Sequence, residues 1–209
     1  MKFEELLKLI NGEPIFTSSL LLAGNISVFS IRKQLSRWIS AGKILQIKRG
    51  LYVVAAPYMK KEPHPFLIAN MIKKASYVSL QSALEYYGTI PEYVPVITSV
   101  TTGRPEQIST KLGKFIFKHL KKELFWGYKE LEVIKGTGIF IATPEKALLD
   151  LIYFTPNSDK LEYIEELRLQ NIEKIDTELL INYSRTFKKP KIERAAHAIK
   201  KFIHKFIHQ

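Results

Sequence analysis

Among the 209 residues there is no cysteine. Disulfides, thiolate metal sites and cysteine nucleophiles are therefore excluded. Uninterrupted apolar runs are short, well under the roughly 18 residues that suggest a membrane span. The polar, acidic start Met1-Lys2-Phe3-Glu4-Glu5 does not resemble a secretory signal, and a cytoplasmic location with no membrane partner is expected. No Gly-x-Ser-x-Gly elbow, phosphate-cradling glycine loop or His-Glu-x-x-His occurs. What remains is the composition of a folded globular chain, 46% hydrophobic and 25% charged, large enough for one sizeable domain or two small ones.

Its most informative stretch is residues 27–54. Ile31, Leu35, Trp38 and Ile39 fall at i, i+4, i+7 and i+8, one stripe of a helix turning every 3.6 residues. Ser30, Arg32, Lys33, Gln34, Ser36, Arg37 and Ser40 occupy the other face, and Gly42 follows where a left-handed residue can end the helix. Beyond it, Ile44, Leu45 and Ile47 are separated from Leu51, Tyr52, Val53 and Val54 by Lys48-Arg49-Gly50, which reads as a β-hairpin with a cationic tip. A helix followed by such a ribbon is how a winged helix-turn-helix ends, the helix entering the major groove and the wing touching flanking backbone. An ordinary core helix with a hairpin is the plainer alternative. Charge decides against it, since residues 27–60 hold seven Lys or Arg and no Asp or Glu.

The net charge of +12 is uneven. Nine basic and three acidic residues lie in positions 1–60, fifteen and sixteen in 61–184, and eight and one in 185–209. Two cationic poles point to a polyanion, because phosphates neutralised by Lys or Arg release counterions. Double-stranded DNA is the expected partner. Ser30, Arg32, Lys33, Gln34, Ser36 and Arg37 are the candidate contacts on the helix, those nearest its start for base edges and the rest for phosphates; Lys43, Lys48 and Arg49 are assigned to backbone. Trp38 belongs to the apolar stripe and so to the core.

Upstream, Phe3, Leu6, Leu7 and Ile10 predict a short helix closed by Asn11-Gly12. Thr17 and Ser18 are good N-caps for a second helix through Ala23, Gly24-Asn25 supplies a turn, and Ser27 or Ser30 caps the third. Residues 1–56 thus form one module. The proline-rich residues 57–65 read as a linker in which His64 has no ligand role, and 66–209 as a second region. There, helices are expected over 66–72 and from Ser79 to Gly88. Strands are expected over 94–101, 114–119, 128–134 and 138–142, with a turn at Thr102-Gly103-Arg104-Pro105. Thr143-Pro144-Glu145 opens a helix driven inward by Ala147, Leu148, Leu149, Leu151 and Ile152. The fold class expected is α+β: an N-terminal winged helix-turn-helix followed by a mixed α+β domain with C-terminal helices.

Four stretches in order, SAGKILQIKRGLYVV, YVSLQSALEYYGTIPE, TSVTTGR and IATPEKALLDLIYF, resemble the AbiEi family, the antitoxin halves of type IV toxin-antitoxin pairs. The resemblance covers residues 27–154, about three fifths of the chain. It implies an N-terminal module that represses its own operon by binding an inverted repeat, and a C-terminal domain that counteracts a nucleotidyltransferase toxin. A palindromic operator would require two copies about one helical turn apart.

The tail carries no family motif. Leu161, Ile164 and Leu167 are expected to face inward from a helix over 159–169, with another over 177–183. From Ile192 onward, Ala195, Ala196, Ile199, Phe202, Ile203, Phe206 and Ile207 make an apolar stripe bordered by Lys191, Arg194, Lys200, Lys201 and Lys205, suited to docking on the chain's own domain or a partner. His204 and His208 at i, i+4 lack a neighbouring carboxylate, so no metal is assigned. The competing reading is a metal-dependent nuclease targeted by the winged helix, built on Glu132-x-x-Lys135 or on Glu145, Lys146 and Asp150. These are explained more simply as strand-end and helix-surface charges, and neither catalytic residue nor cofactor is expected.

Overall fold

Apolar residues spaced for separate helices in the sequence meet in a single cluster in the N-terminal unit of the protein, described here from a computed structural model covering residues 1–22, 27–134 and 137–207. The first unit is Met1–Ile72 and the second Lys73–Gln209. In the first, α1 (Phe3–Leu9) leads to β1 (Ile15–Thr17), α2 (Ser18–Leu21), α3 (Val28–Ser40), β2 (Ile44–Lys48), β3 (Leu51–Val54) and α4 (Pro65–Ile72). The three strands are antiparallel in the order β1-β3-β2. Phe3, Leu6, Phe16, Leu21, Ile31, Leu35, Trp38, Ile44 and Val54 pack together under that sheet's helices, each large side chain contributing about 1.5–3 kcal/mol on burial.

Both ends of α3 follow the chemistry of its residues. Ser27 Oγ accepts the Ser30 N–H at 3.2 Å, satisfying a donor of the first turn. At the other end Gly42 has φ +65°. Its N–H donates to the Ile39 carbonyl at 3.0 Å and the Lys43 N–H to the Trp38 carbonyl at 2.9 Å, the paired bonds of a Schellman cap. Ile39 departs from the expected stripe: it is 37% exposed, while Ile31, Leu35 and Trp38 are buried. The expected second helix is shorter than predicted, and its residue Ala23 and the Gly24-Asn25 turn lie outside the described residues.

The segment expected as a linker is tied down. Pro63 is buried. His64 Nδ1 accepts the Phe66 N–H at 3.2 Å, so the imidazole caps α4 in its neutral form. Helix α4, assigned to the second region from sequence, groups with the first unit.

The second unit is built on β4 (Ser76–Val78), α5 (Leu80–Tyr86), β5 (Val96–Thr101), β6 (Glu106–Thr110), β7 (Gly113–His119), β8 (Tyr128–Ile134) and β9 (Thr137–Ala142). Four helices complete it: α6 (Pro144–Phe154), α7 (Leu161–Glu166), α8 (Thr177–Thr186) and α9 (Pro190–Ile207). Its sheet runs β6-β7-β5-β4-β9-β8, with β5 parallel to β7, β4 parallel to β9 and the other pairs antiparallel. The protein is thus mixed α+β with helices at its C-terminal end. Helix α6 is the hub, touching α5, α8, α9 and β9, and every residue from 145 to 152 is buried. Strands β4 and β6 escape sequence detection. At three residues β4 is too short to show alternation, and its neighbours on both sides define it.

One tail expectation is corrected, the inward placement of Leu161, and the apolar stripe of the last helix is buried only in part. Leu161 is 52% exposed and Phe206 54% exposed, whereas Ile164, Ile192, Ala195, Ala196, Ile199 and Ile203 are buried. Ile207's side chain and His208 lie outside the described residues.

Candidate nucleic-acid interface

Because α3 turns its apolar stripe inward, its polar residues must face out. Ser30, Arg32, Lys33, Ser36 and Arg37 are exposed and Gln34 is half-buried. Ser30, Lys33, Gln34 and Arg37, at i, i+3, i+4 and i+7, line a cleft of about 240 Å³ floored by Leu21, Ile31 and Trp38. Arg32 and Ser36 lie beside it on the neighbouring stripe. The structure therefore brings six of the nine sequence candidates together on one helix surface.

The other three are placed differently. Lys43 is half-buried, with its ammonium 4.9 Å from the centre of the Phe3 ring, a cation-π contact that competes with any outside anion. Lys48 Nζ donates to the Ile72 carbonyl. Arg49 is exposed at the hairpin tip, where Gly50 takes φ +82°. Thus Arg49 is the freer of the two tip cations.

One exposed group was missed from sequence. Phe29 is 75% exposed and Val28 48% exposed in the first turn of α3. For Phe29 the signal was present, since it falls off the Ile31, Leu35, Trp38 stripe; Val28, three residues before Ile31, lies on that stripe and is exposed because it stands in the first turn.

A second constellation lies inside the C-terminal unit. Lys146 Nζ donates to Asp150 Oδ1 and, at 2.9 Å, to Tyr77 Oη. Tyr77 in turn donates to Asp150 Oδ2 at 3.0 Å and Ser79 Oγ to the same oxygen at 2.8 Å. The ammonium also stands about 5 Å from the Trp126 and Phe187 ring centres, at 5.1 Å each. All four residues are completely buried. Burial works against both charges, pushing Asp150 up and Lys146 down, while each partner's charge opposes the other's shift. The same burial, with Asp150 alongside, drives the Tyr77 hydroxyl well above its ordinary value. Glu145, 4% exposed, accepts the Asp176 N–H at 3.0 Å. The expectation that Glu145, Lys146 and Asp150 are helix-surface charges is thereby overturned. The neighbouring residues are apolar on every side of α6, so the helix has no solvent face to hold them.

This cluster is an internal tie rather than a reaction centre. Its side chains are sealed from solvent, and Asp150 already accepts three hydrogen bonds. Among the described residues no group of three or more His, Asp or Glu is placed to hold a metal ion. Lys135, the second half of the Glu132-x-x-Lys135 pair, lies outside them. No described helix is long and apolar enough to cross a membrane.

No family model matches the chain, and no curated protein does. Its fold is similar to that of the RV2827C protein from Mycobacterium tuberculosis in a crystal structure. The two are 13% identical with a TM-score of 0.59, over 94% of this chain and 75% of that one. At that identity the likeness is one of fold.

Proposed function

We propose that the N-terminal unit is a winged helix-turn-helix that binds double-stranded DNA, and that the protein represses its own operon and serves as the antitoxin of a type IV pair. The observation that carries the DNA reading is the exposed cationic face of α3, where Arg32, Lys33 and Arg37 stand with Ser30, Gln34 and Ser36. Support comes from the connectivity of α1 through β3, three helices and a β1-β3-β2 sheet with Arg49-Gly50 at its hairpin tip, ahead of α4. No Asp or Glu interrupts residues 14–61. In this arrangement α3 enters the major groove, Arg32 and Gln34 face base edges, Lys33 and Arg37 hold phosphates, and Arg49 reaches flanking backbone. Phe29 meets a thymine methyl group. The antitoxin role rests on the motif resemblance to the AbiEi family alone, with a nucleotidyltransferase as the toxin opposed.

Titration of the purified chain against the DNA upstream of its own reading frame tests the first part. Arg32→Ala is expected to weaken binding by about 1–3 kcal/mol, roughly ten- to a hundredfold. Arg37→Ala should lower the slope of log affinity against log salt by about one. Affinity indifferent to salt and to both substitutions refutes the assignment. Co-expression with a nucleotidyltransferase encoded next to this chain tests the second part, rescue of growth being the expected result.

A further inference from the structure

Helix α9 is tied to its own unit along one side only. Ile192, Ala195, Ala196, Ile199 and Ile203 are buried. Three of its cations are engaged: Lys191 donates to the Ile152 and Thr155 carbonyls, Arg194 pairs with Asp159, and Lys200 with Glu178. Ala198, Phe202 and Phe206, spaced i, i+4 and i+8, form a second apolar stripe that the unit covers only in part, Ala198 and Phe202 being half-buried and Phe206 exposed. With Leu161 and Leu169 this stripe makes the floor of a groove of about 850 Å³ between α7 and α9.

The two sides of that groove differ in charge. Lys201 and Lys205 stand one turn apart on α9; Glu165 lines the groove from α7, with exposed Glu162 one turn before it, and Arg168, which lines the same side, is paired with Glu92. None of Lys201, Lys205, Glu162 and Glu165 has an ion-pair partner among the described residues. An apolar floor between the two lysines on one side and the two glutamates on the other is self-complementary. A two-fold rotation lays the lysines of one copy against the glutamates of the other and the phenylalanine stripes against each other.

We propose that the groove between α7 and α9 is the surface through which two copies of this chain associate. The pairing is isologous, with Phe202, Phe206 and Leu161 at its centre and two symmetry-related sets of Lys201, Lys205 against Glu162, Glu165 at its rim. It stands apart from the nucleic-acid reading, since neither helix takes part in that interface.

Sedimentation equilibrium of the full chain across micromolar to submillimolar concentrations should give the mass of two chains. Phe206→Glu, at an exposed position, should return it to one. Lys201→Glu with Lys205→Glu, and separately Glu162→Lys with Glu165→Lys, should each raise the dimer dissociation constant about tenfold or more by setting like charges face to face. Mixing these two charge-reversed proteins should restore a one-to-one dimer, which a merely structural loss would not do. A single-chain mass at every concentration, or a dimer indifferent to Phe206→Glu and to both reversals, overturns the proposal. So does a monomer that floats with phosphatidylglycerol vesicles and loses them on Phe206→Glu, which would make the same face a lipid-binding one.

Discussion

Removing both members of the buried Lys146–Asp150 pair should cost clearly less than the two single removals added together. In Asp150→Asn the Lys146 ammonium, sealed from water, keeps only the Tyr77 hydroxyl as an acceptor, and the new amide points donors where a carboxylate stood. Breaking a buried pair in this way costs about 3–5 kcal/mol. Lys146→Met leaves Asp150 with two donors, Tyr77 and Ser79, so its loss should sit near the lower end, about 3 kcal/mol. Lys146→Met with Asp150→Asn restores neutrality and keeps a side-chain oxygen for both hydroxyls. Its loss should fall short of the sum of the two singles by about 2 kcal/mol, within the usual range for contacting residues. Trp126, whose ring lies 5.1 Å from the ammonium, reports the transition. The chain has two tryptophans, so a Trp38→Phe background leaves Trp126 as the sole indole signal in urea titrations. Single substitutions costing under about 1 kcal/mol, or additivity within about 0.5 kcal/mol, would refute the reasoning.

Two other outcomes follow from local geometry. Gly127 takes φ +73°, and a Cβ there would stand 2.9 Å from Lys146 Cγ; Gly127→Ala should therefore destabilise the same Trp126 transition by about 2 kcal/mol or more, combining backbone strain with displacement of the buried lysine. His64 caps α4 through an unprotonated Nδ1, and burial holds its pKa below the ordinary value. A depressed folded-state pKa means that stability is complete above about pH 6.5 and declines as pH falls through the folded value. Thermal melts of the native chain should show this decline, and His64→Ala should flatten it; parallel profiles would remove the cap.

Much of the N-terminal unit could be read in one dimension. Its helices bury one stripe each, so Ile31, Leu35 and Trp38 announce both the core and, by exclusion, the exposed Arg32, Lys33 and Arg37. Gly42 and Gly50 mark turns because their left-handed backbone is a local property of glycine. The fates of Lys43 and Lys48 were not legible: a long flexible cation settles on whichever ring or carbonyl the fold brings near, here Phe3 and Ile72. In the second unit the limit is clearer still. Lys146 and Asp150 stand i, i+4 in a segment apolar all round, a spacing consistent with a surface pair. Only the packing of α5, α8, α9 and β9 around α6 removed the solvent from that pair and supplied Tyr77 and Ser79, some seventy residues away in the chain. Periodicity determines which way a side chain points from its own helix. Whether water or protein waits there is decided by elements distant in sequence, and with it whether a charge is a surface ornament or a buried tie.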